Sequence, residues 1–588
     1  MYFTVVRASD KCTFLIKKTM ETNISFKGKG MFKTLAFSSL LPICLFTILP
    51  FLASSCSDRD DHYEASHTAE GTLWQALEAN GQVSNFTRVL AHCGYESMLS
   101  SSQMFTVFAP VDKNFSSEQA DSVIELYDSE AKAGVKQKEN TAIREFVKNH
   151  LALFNYSVYN GINDTITLIN GKRQAVTDAT IGLRHMLSEN QRTSNGVLFT
   201  IDGDMPYEAN VMEYLSRDGN LDSIAQYYNS HSYQVFVPEQ SVAGSVVDGQ
   251  TVYLDSVFTL RNELFRTIAP INVEDSTYLL LAPTDEEWTR LTNEYEQYYV
   301  FDKTIENNKL LQHNYARDAI VRGSVFSRTL NSDSSLQNEA WSTNASYYSP
   351  DTYEQDGKEY HYYQYPTHGG SLFAGAGRVT CSNGEVLKVS QWPISIYQTF
   401  AQTIDEEAES GDALKEVDVK TTRYPLTQVK VQPSNAFYRQ VSGDKFVEIY
   451  AKSPSVRPSA TFNLPNVLSN VGYDIYVVTV PALAGDTLAT AEQRLPTKFR
   501  CTASWHEVNG YPRTEILNDR KDFVTTQDKI DVFRVAENFQ FPTCSYGLST
   551  PQVTLKIESR VTNSELNSGT YQRTIRIDRI YAVPHQEK

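Results

Sequence analysis

The sequence predicts a multidomain chain: two α+β units built on one frame, followed by an all-β sandwich of jelly-roll type. Three observations carry this. The stretch "FTVFAPVDKNF" at Phe105–Phe115 returns as "YLLLAPTDEEW" at Tyr278–Trp288, with helical and strand patterns in the same order around both copies. The 588 residues exceed what a single core organises. The last third breaks into short alternating runs divided by turn residues.

The opening residues read as targeting rather than fold. Residues 1–30 hold no apolar run of spanning length and read as an extension ahead of a true start at Met31. Met31 opens "MFKTLAFSSLLPICLFTILPFLASSC", a lysine, an apolar run, small residues and Cys56. The ending "LASSC" resembles the lipobox of a bacterial lipoprotein, which implies cleavage before Cys56 and its acylation. It departs at Ala53, where the pattern usually has Leu. A transmembrane anchor or an ordinary cleaved signal is the alternative. "SDRDDHYE" then makes residues 57–69 an acidic tether. It resembles a surface-export signal, placing the protein lipid-anchored on the outer membrane and facing outward.

The formal net charge is −17, and removing the seven basic and two acidic residues of positions 1–55 makes it −22. That argues against nucleic acid as a partner, whose phosphates need a basic stripe, and leaves the lipid as the expected membrane contact. The four cysteines beyond Cys56 are Cys93, Cys381, Cys501 and Cys544. Cys501 and Cys544 share a region and are candidates to pair, while Cys93 and Cys381 read as small buried apolar residues. No CxxC and no Cys/His spacing suits a metal, so neither metal nor cofactor is expected.

The first unit, residues 70–207, begins with Leu73, Leu77, Phe86, Val89 and Leu90 at helical spacing. "MFTVFAP" reads as a strand stopped by Pro110, and Asp112 as the cap of a following helical turn. "TAIREFVKNHLAL" reads as a middle helix, "TITLI" and "QAVT" as strands, and Asn195-Gly196 as the turn of a closing hairpin. The second unit, residues 208–400, repeats the order. "NVMEYLSRDGNLDSIAQYY" is its lead-in, Pro283 and Asp285 sit in its phrase, "NNKLLQHNYARDAIV" is its middle helix, and Asn383-Gly384 is its closing turn. It carries two insertions, at 232–258 and 344–370.

These residues together resemble the fasciclin-domain family: Phe108, Ala109, Pro110, Asp112 and Phe115 in the first unit, and Leu281, Ala282, Pro283, Thr284, Asp285 and Trp288 in the second. The resemblance spans about residues 70–400. It implies that His150 and His313 occupy the family's internal, hydrogen-bonded histidine position, and that the two Asn-Gly pairs are its closing motif. It also implies an extracellular interaction module.

No catalytic constellation emerges. Asp112 and Asp285 each lack a second acid or a histidine at defined spacing. There is no GxSxG, GxGxxG or P-loop, and "GSLFAGAGR" reads as a turn before a hairpin. The expectation is a non-enzyme. The second insertion holds Tyr347, Tyr348, Tyr353, Tyr360, Tyr362, Tyr363 and Tyr365 beside Asp351, Asp356 and His361. Rings beside carboxylates suit sugar or protein contact, and a hairpin simply packed on its domain is the structural alternative.

Residues 401–420 are acidic and read as a linker or surface helix. From 421 to 588, "KFVEIYAK", "ATFNLPNV", "YDIYVVTVP", "KFRCTASWHEV", "VTLKIESRV" and "RTIRIDRIYAVP" read as strands of a sandwich. The last run is similar to the closing strand of jelly-roll carbohydrate-binding modules, with Ile575 and Ile577 inward and charges outward. Trp505 and Tyr511 are the aromatics to watch there. The expected function is adhesion or binding to an extracellular protein or glycan, with glycan capture beside a polysaccharide uptake system as the alternative.

Overall fold

The computed structural model describes residues 71–586 except 189, 237–241, 248–249, 256–257, 328–338, 344–350, 356–357, 365–372, 412, 418–425 and 452–455. Only the backbone is described for the strands within 242–260, 339–342, 351–364 and 414–417. Cys56, the acidic tether, Tyr347, Tyr348 and Tyr365 lie outside the described residues.

The first unit opens on three short helices, Leu73–Ala79, Ser84–His92 and Glu96–Leu99. Thr72 starts the first through a reciprocal capping box with Gln75. Phe86, Val89 and Leu90 are buried on the second, as their spacing predicts. The phrase strand, Phe105–Pro110, is buried along its whole length. It lies between Leu151–Leu153, antiparallel, and Gly196–Ile201, parallel. A parallel strand covered on both faces needs a continuous apolar run, which explains "FTVFA". Its side chains divide by parity: Phe105, Val107 and Ala109 enter a core shared with the helices. Phe108 enters a second core beneath a four-stranded meander spanning residues 163–185.

The predicted middle helix is corrected. Residues Ala142–Phe146 form one wide π turn, Val147–His150 a tight 3₁₀ turn, and Leu151–Leu153 a strand. The chain must re-enter the sheet at Leu151, opposite Val107, so no regular helix can continue there. The longest regular helix of this unit is Ser117–Lys132, started by a Ser116–Gln119 capping box and unforeseen because it buries only Ala120.

The second unit repeats the ladder in the same register. Phe105 pairs with Gly196 and Tyr278 with Gly384, and each parallel ladder runs six residues. Here the middle helix, Asn308–Arg322, forms as predicted. The second insertion does not hang free. Its strands Asp351–Gln355 and Lys358–Gln364, with Glu339–Ser342, extend the sheet to seven strands beyond Val325–Ser327.

The C-terminal region is two six-stranded antiparallel sheets, and all six predicted strands are present. Residues 401–420 are corrected: Ile404–Glu407 pairs with the final strand, Ile575–Pro584, and Leu414–Val417 pairs with Ser459–Asn463. Buried Ile404, Ala408 and Ala413 explain why this acidic stretch is neither linker nor surface helix. The final strand also departs from simple alternation, since Arg576 and Asp578 are buried with the isoleucines. One hydrophobic cluster runs from the second unit into the sandwich, joining Tyr299, Phe301 and Phe400 to Leu464, Tyr473 and Phe541.

Candidate functional site

The repeated phrase is architecture, and the side chains show how. Asp112 caps no helical turn after it. Its carboxylate accepts from Ser84 N at 3.1 Å and Asn85 N at 2.8 Å, capping the helix that precedes the phrase by some twenty residues. Asp285 does the same for its own lead-in helix, accepting from Ser223 N at 2.7 Å. It also opens the helix Asp285–Tyr295, which Thr284 caps. The expected cap is right in kind and wrong in target, because capping partners distant in sequence leave no local spacing to read.

Asn195 and Asn383 are a second matched pair. Both are buried. Asn195 Oδ1 accepts from Leu73 N at 2.7 Å, and its Nδ2 donates to the carbonyls of Leu99 and Ser101. Asn383 Oδ1 accepts from Val211 N at 2.8 Å, and its Nδ2 donates to the carbonyls of Ile271 and Val273. Each therefore ties the lead-in helices to the closing strand. The glycines after them are forced by close approach. A Cβ on Gly196 would lie 1.9 Å from the Phe105 carbonyl oxygen, and one on Gly384 1.8 Å from that of Tyr278. Pro110 and Pro283 end their strands without cost, because the next N–H carries the ladder on: Val111 to Ile201 O and Thr284 to Val389 O, both 3.0 Å.

His150 is internal, as the resemblance implied. Its Nδ1 donates to Phe146 O at 2.8 Å, and its Nε2 accepts from Met205 N at 2.9 Å. Accepting an N–H fixes the neutral tautomer, and burial pulls the pKa down to about 4. His313 is corrected. It lies half-exposed on the middle helix, paired with Glu296 at 2.6 Å. Strand register shows why. Leu151 pairs with Val107 and Val325 with Leu280, each two residues into its phrase strand, so the counterpart of His150 is buried Ser324. The partner changes too. Met205 lies four residues past its closing strand, and the same place in the second unit is Pro393, which has no N–H to give.

One cluster had no sequence signal. Lys172, buried in the first unit, reaches Glu213 at 3.0 Å, Glu274 at 2.6 Å and Ser382 Oγ at 3.0 Å, all in the second. Burial pushes the Glu213 carboxyl up, but the Tyr207 hydroxyl, the Asn210 N–H and the Lys172 ammonium together hold it below the ordinary range. This group joins two units, and although Glu213 borders a cleft of about 550 Å³ beside Arg144 and Arg217, its carboxylate is taken up by Lys172, Tyr207 and the Asn210 N–H, so its work is positional.

The four described cysteines are free and buried, so Cys501 and Cys544 do not pair. Burial pushes the Cys544 thiol up to about 12 and Cys501 further. Trp505 is corrected as a ligand aromatic: it is 6% exposed and packs on Phe539 and Phe541. Tyr511, at 71%, is exposed on the hairpin beyond it. The tyrosines of the second insertion that fall on described backbone form a pattern. Tyr353 lies opposite Tyr360, and Tyr362 opposite both Asp351 and Trp341. Trp341, Tyr353, Tyr360 and Tyr362 thus occupy in-phase positions across three adjacent strands, and Tyr363 the opposite phase.

Known proteins share parts of this geometry. Residues 81–205 match the family model of the fasciclin domain. A FAS1 domain pair from the insect cell adhesion molecule Fasciclin I is 11% identical, with 54% of this chain and 99% of that one covered and a TM-score of 0.18. The CBM22-1 xylan-binding domain of Paenibacillus barcinonensis Xyn10C is 12% identical, covering 31% and 95%, with a TM-score of 0.19. The CBM22-1–GH10 modules of Clostridium thermocellum xylanase 10B are 11% identical, with 31% of this chain covered, only 28% of that chain, and a TM-score of 0.21. No curated protein matches. What these matches establish is a fasciclin domain at residues 81–205.

Proposed function

We propose that this is a non-enzymatic cell-surface lipoprotein that binds an extracellular protein or glycan, anchored through Cys56 on the outer membrane. The fasciclin domain supports an adhesion-type role. The observation that carries the binding reading is the in-phase ladder of Trp341, Tyr353, Tyr360 and Tyr362, on strands that extend the second unit's own sheet. The titratable groups of the repeated motif, by contrast, are spent: Asp112 and Asp285 on caps, His150 on two backbone bonds. Glycan capture beside an uptake system is the second reading, favoured by an aromatic strip of the kind that stacks on sugar C–H faces.

The test is attachment of the full chain to host and bacterial cells and to a glycan array, against the triple variant Tyr353→Ala, Tyr360→Ala, Tyr362→Ala. Binding that falls at least tenfold in the variant supports the reading. Turnover of any glycan by the wild type contradicts it. Labelling with radioactive palmitate, lost in Cys56→Ser, tests the anchor.

A further inference from the structure

A second surface, far from the tyrosine ladder in sequence, has the form of a binding site. A cleft of about 990 Å³ opens between the free edges of the sandwich's two sheets. One wall is the edge strand Pro512–Ile516 and the turn after it, and the other is the edge strand Asp531–Gln540. Half-buried Ile516 and Phe539 give it an apolar floor, above Leu517 and Val535 in the core. Three guanidinium groups, Arg513, Arg520 and Arg534, and three carboxylates, Glu515, Asp519 and Glu537, stand along it.

The turn is unusual. Asn518, Asp519 and Arg520 have φ of 56°, 49° and 64°, three successive left-handed residues without a glycine. Asn and Asp tolerate that region, but Arg has no such excuse. The turn is held there from both sides. Leu517 is buried and its N–H donates to Cys501 O at 3.0 Å, and Asp522 is bonded by Arg500 Nε at 2.7 Å. Backbone cost of this kind concentrates at ligand sites. Its effect here is to project Asp519 and Arg520, both exposed, at the mouth of the cleft.

Two of the three arginines are available. Arg494, Arg500, Arg576 and Arg579 of the same sandwich each hold a carboxylate. Arg513 and Arg520 form no ion pair among the described residues, and Arg534 is held by Glu537 at 2.8 Å.

The walls discourage an added peptide strand. Pro512 offers no N–H. Asn538, at φ 47°, sits where the pairing of its strand with Gly472–Thr479 is irregular. Charged Arg513, Glu515, Arg534 and Glu537 line the two edges, a standard protection against strand addition. Recognition is therefore left to side chains. Equal numbers of both signs favour neither an anionic nor a cationic ligand, but both donors and acceptors suit hydroxyls, and the floor suits C–H faces. We infer that this cleft binds a neutral oligosaccharide chain. The inference rests on the binding reading above but uses a different surface.

The test is affinity of the full chain, in detergent, for cello-, xylo-, manno- and β-1,3-gluco-hexaose and for oligogalacturonate. At least one neutral hexaose binds, and Arg513→Ala with Arg520→Ala weakens it at least tenfold while the tyrosine triple variant does not. Arg520→Gly, which relieves the turn, raises Tm and still weakens binding, whereas a merely structural turn gains stability with binding unchanged. Binding of no neutral hexaose, binding of oligogalacturonate alone, or wild-type affinity in the double arginine variant overturns the inference. Cell attachment lost in the tyrosine variant but kept in the arginine variant leaves the function proposal standing when the cleft proposal falls.

Discussion

Asn195 shows what a single residue does in this frame. Three of its hydrogen bonds satisfy the Leu73 N–H and the carbonyls of Leu99 and Ser101 in the lead-in segment. Asn195→Ala leaves a buried N–H and two carbonyls unpaired, at a cost of about 2–4 kcal/mol. Asn383→Ala costs its own unit a similar amount, and denaturant titration of each variant measures both. The Asn-Gly turn is legible from sequence because local chemistry demands it, but the reach of the side chain across 122 residues is not. Two buried titratable groups act in opposite directions with pH. His150 titrates at about 4 when folded against an ordinary 6.5. The unfolded chain takes the proton first, so its contribution is full above pH 6.5 and is lost as pH falls through 4. Asp578 is the reverse. Burial raises it from 3.8 to about 7, so its contribution is full below 3.8 and is lost as pH rises through 7. Asp578→Asn, which keeps an acceptor for the Ser442 N–H, raises Tm at pH 8 and raises it by much less at pH 5. A Tm gain equal at both pH values contradicts the assignment.

At the scale of elements, strands are more legible than helices. All six predicted sandwich strands exist, because alternation over one buried face is a local signal. "TAIREFVKNHLAL" misleads because Ala142, Ile143 and Val147 are buried at helical spacing, while the chain's return to the sheet at Leu151 is a tertiary demand. The acidic strands of 401–420 escape notice for a related reason: the run is rich in charge, and only the buried Ile404, Ala408 and Ala413 betray them. The two closing strands depend on their glycines. Gly196→Ala and Gly384→Ala each force a Cβ into a carbonyl under 2 Å away, so each variant loses its unit's native fold, read as loss of near-ultraviolet circular dichroism. The His150 position shows how far the copies have diverged. One uses a histidine and an N–H, the other a serine and a proline, and the strand register is the same.

Across the whole molecule, the first unit has its own cores, while the second unit and the sandwich share one. Heating therefore melts the last two together, and Phe400→Ala destabilises that joint transition by about 3–5 kcal/mol, which calorimetry detects. The first unit is fastened to the second by Lys172. Lys172→Met strands Glu213 and Glu274 without their cation, costs about 3–5 kcal/mol, and lowers the first unit's transition relative to the joint one. The repeat reveals that two units exist, but not that a buried lysine joins them or that the second fuses with the sandwich. The central claim is that the strands added to the second unit form the contact surface. Attachment of the full chain to cells and glycans, compared with the Tyr353, Tyr360 and Tyr362 triple alanine variant of equal Tm, tests it most directly. A drop of at least tenfold is the predicted result, and undiminished attachment contradicts the claim.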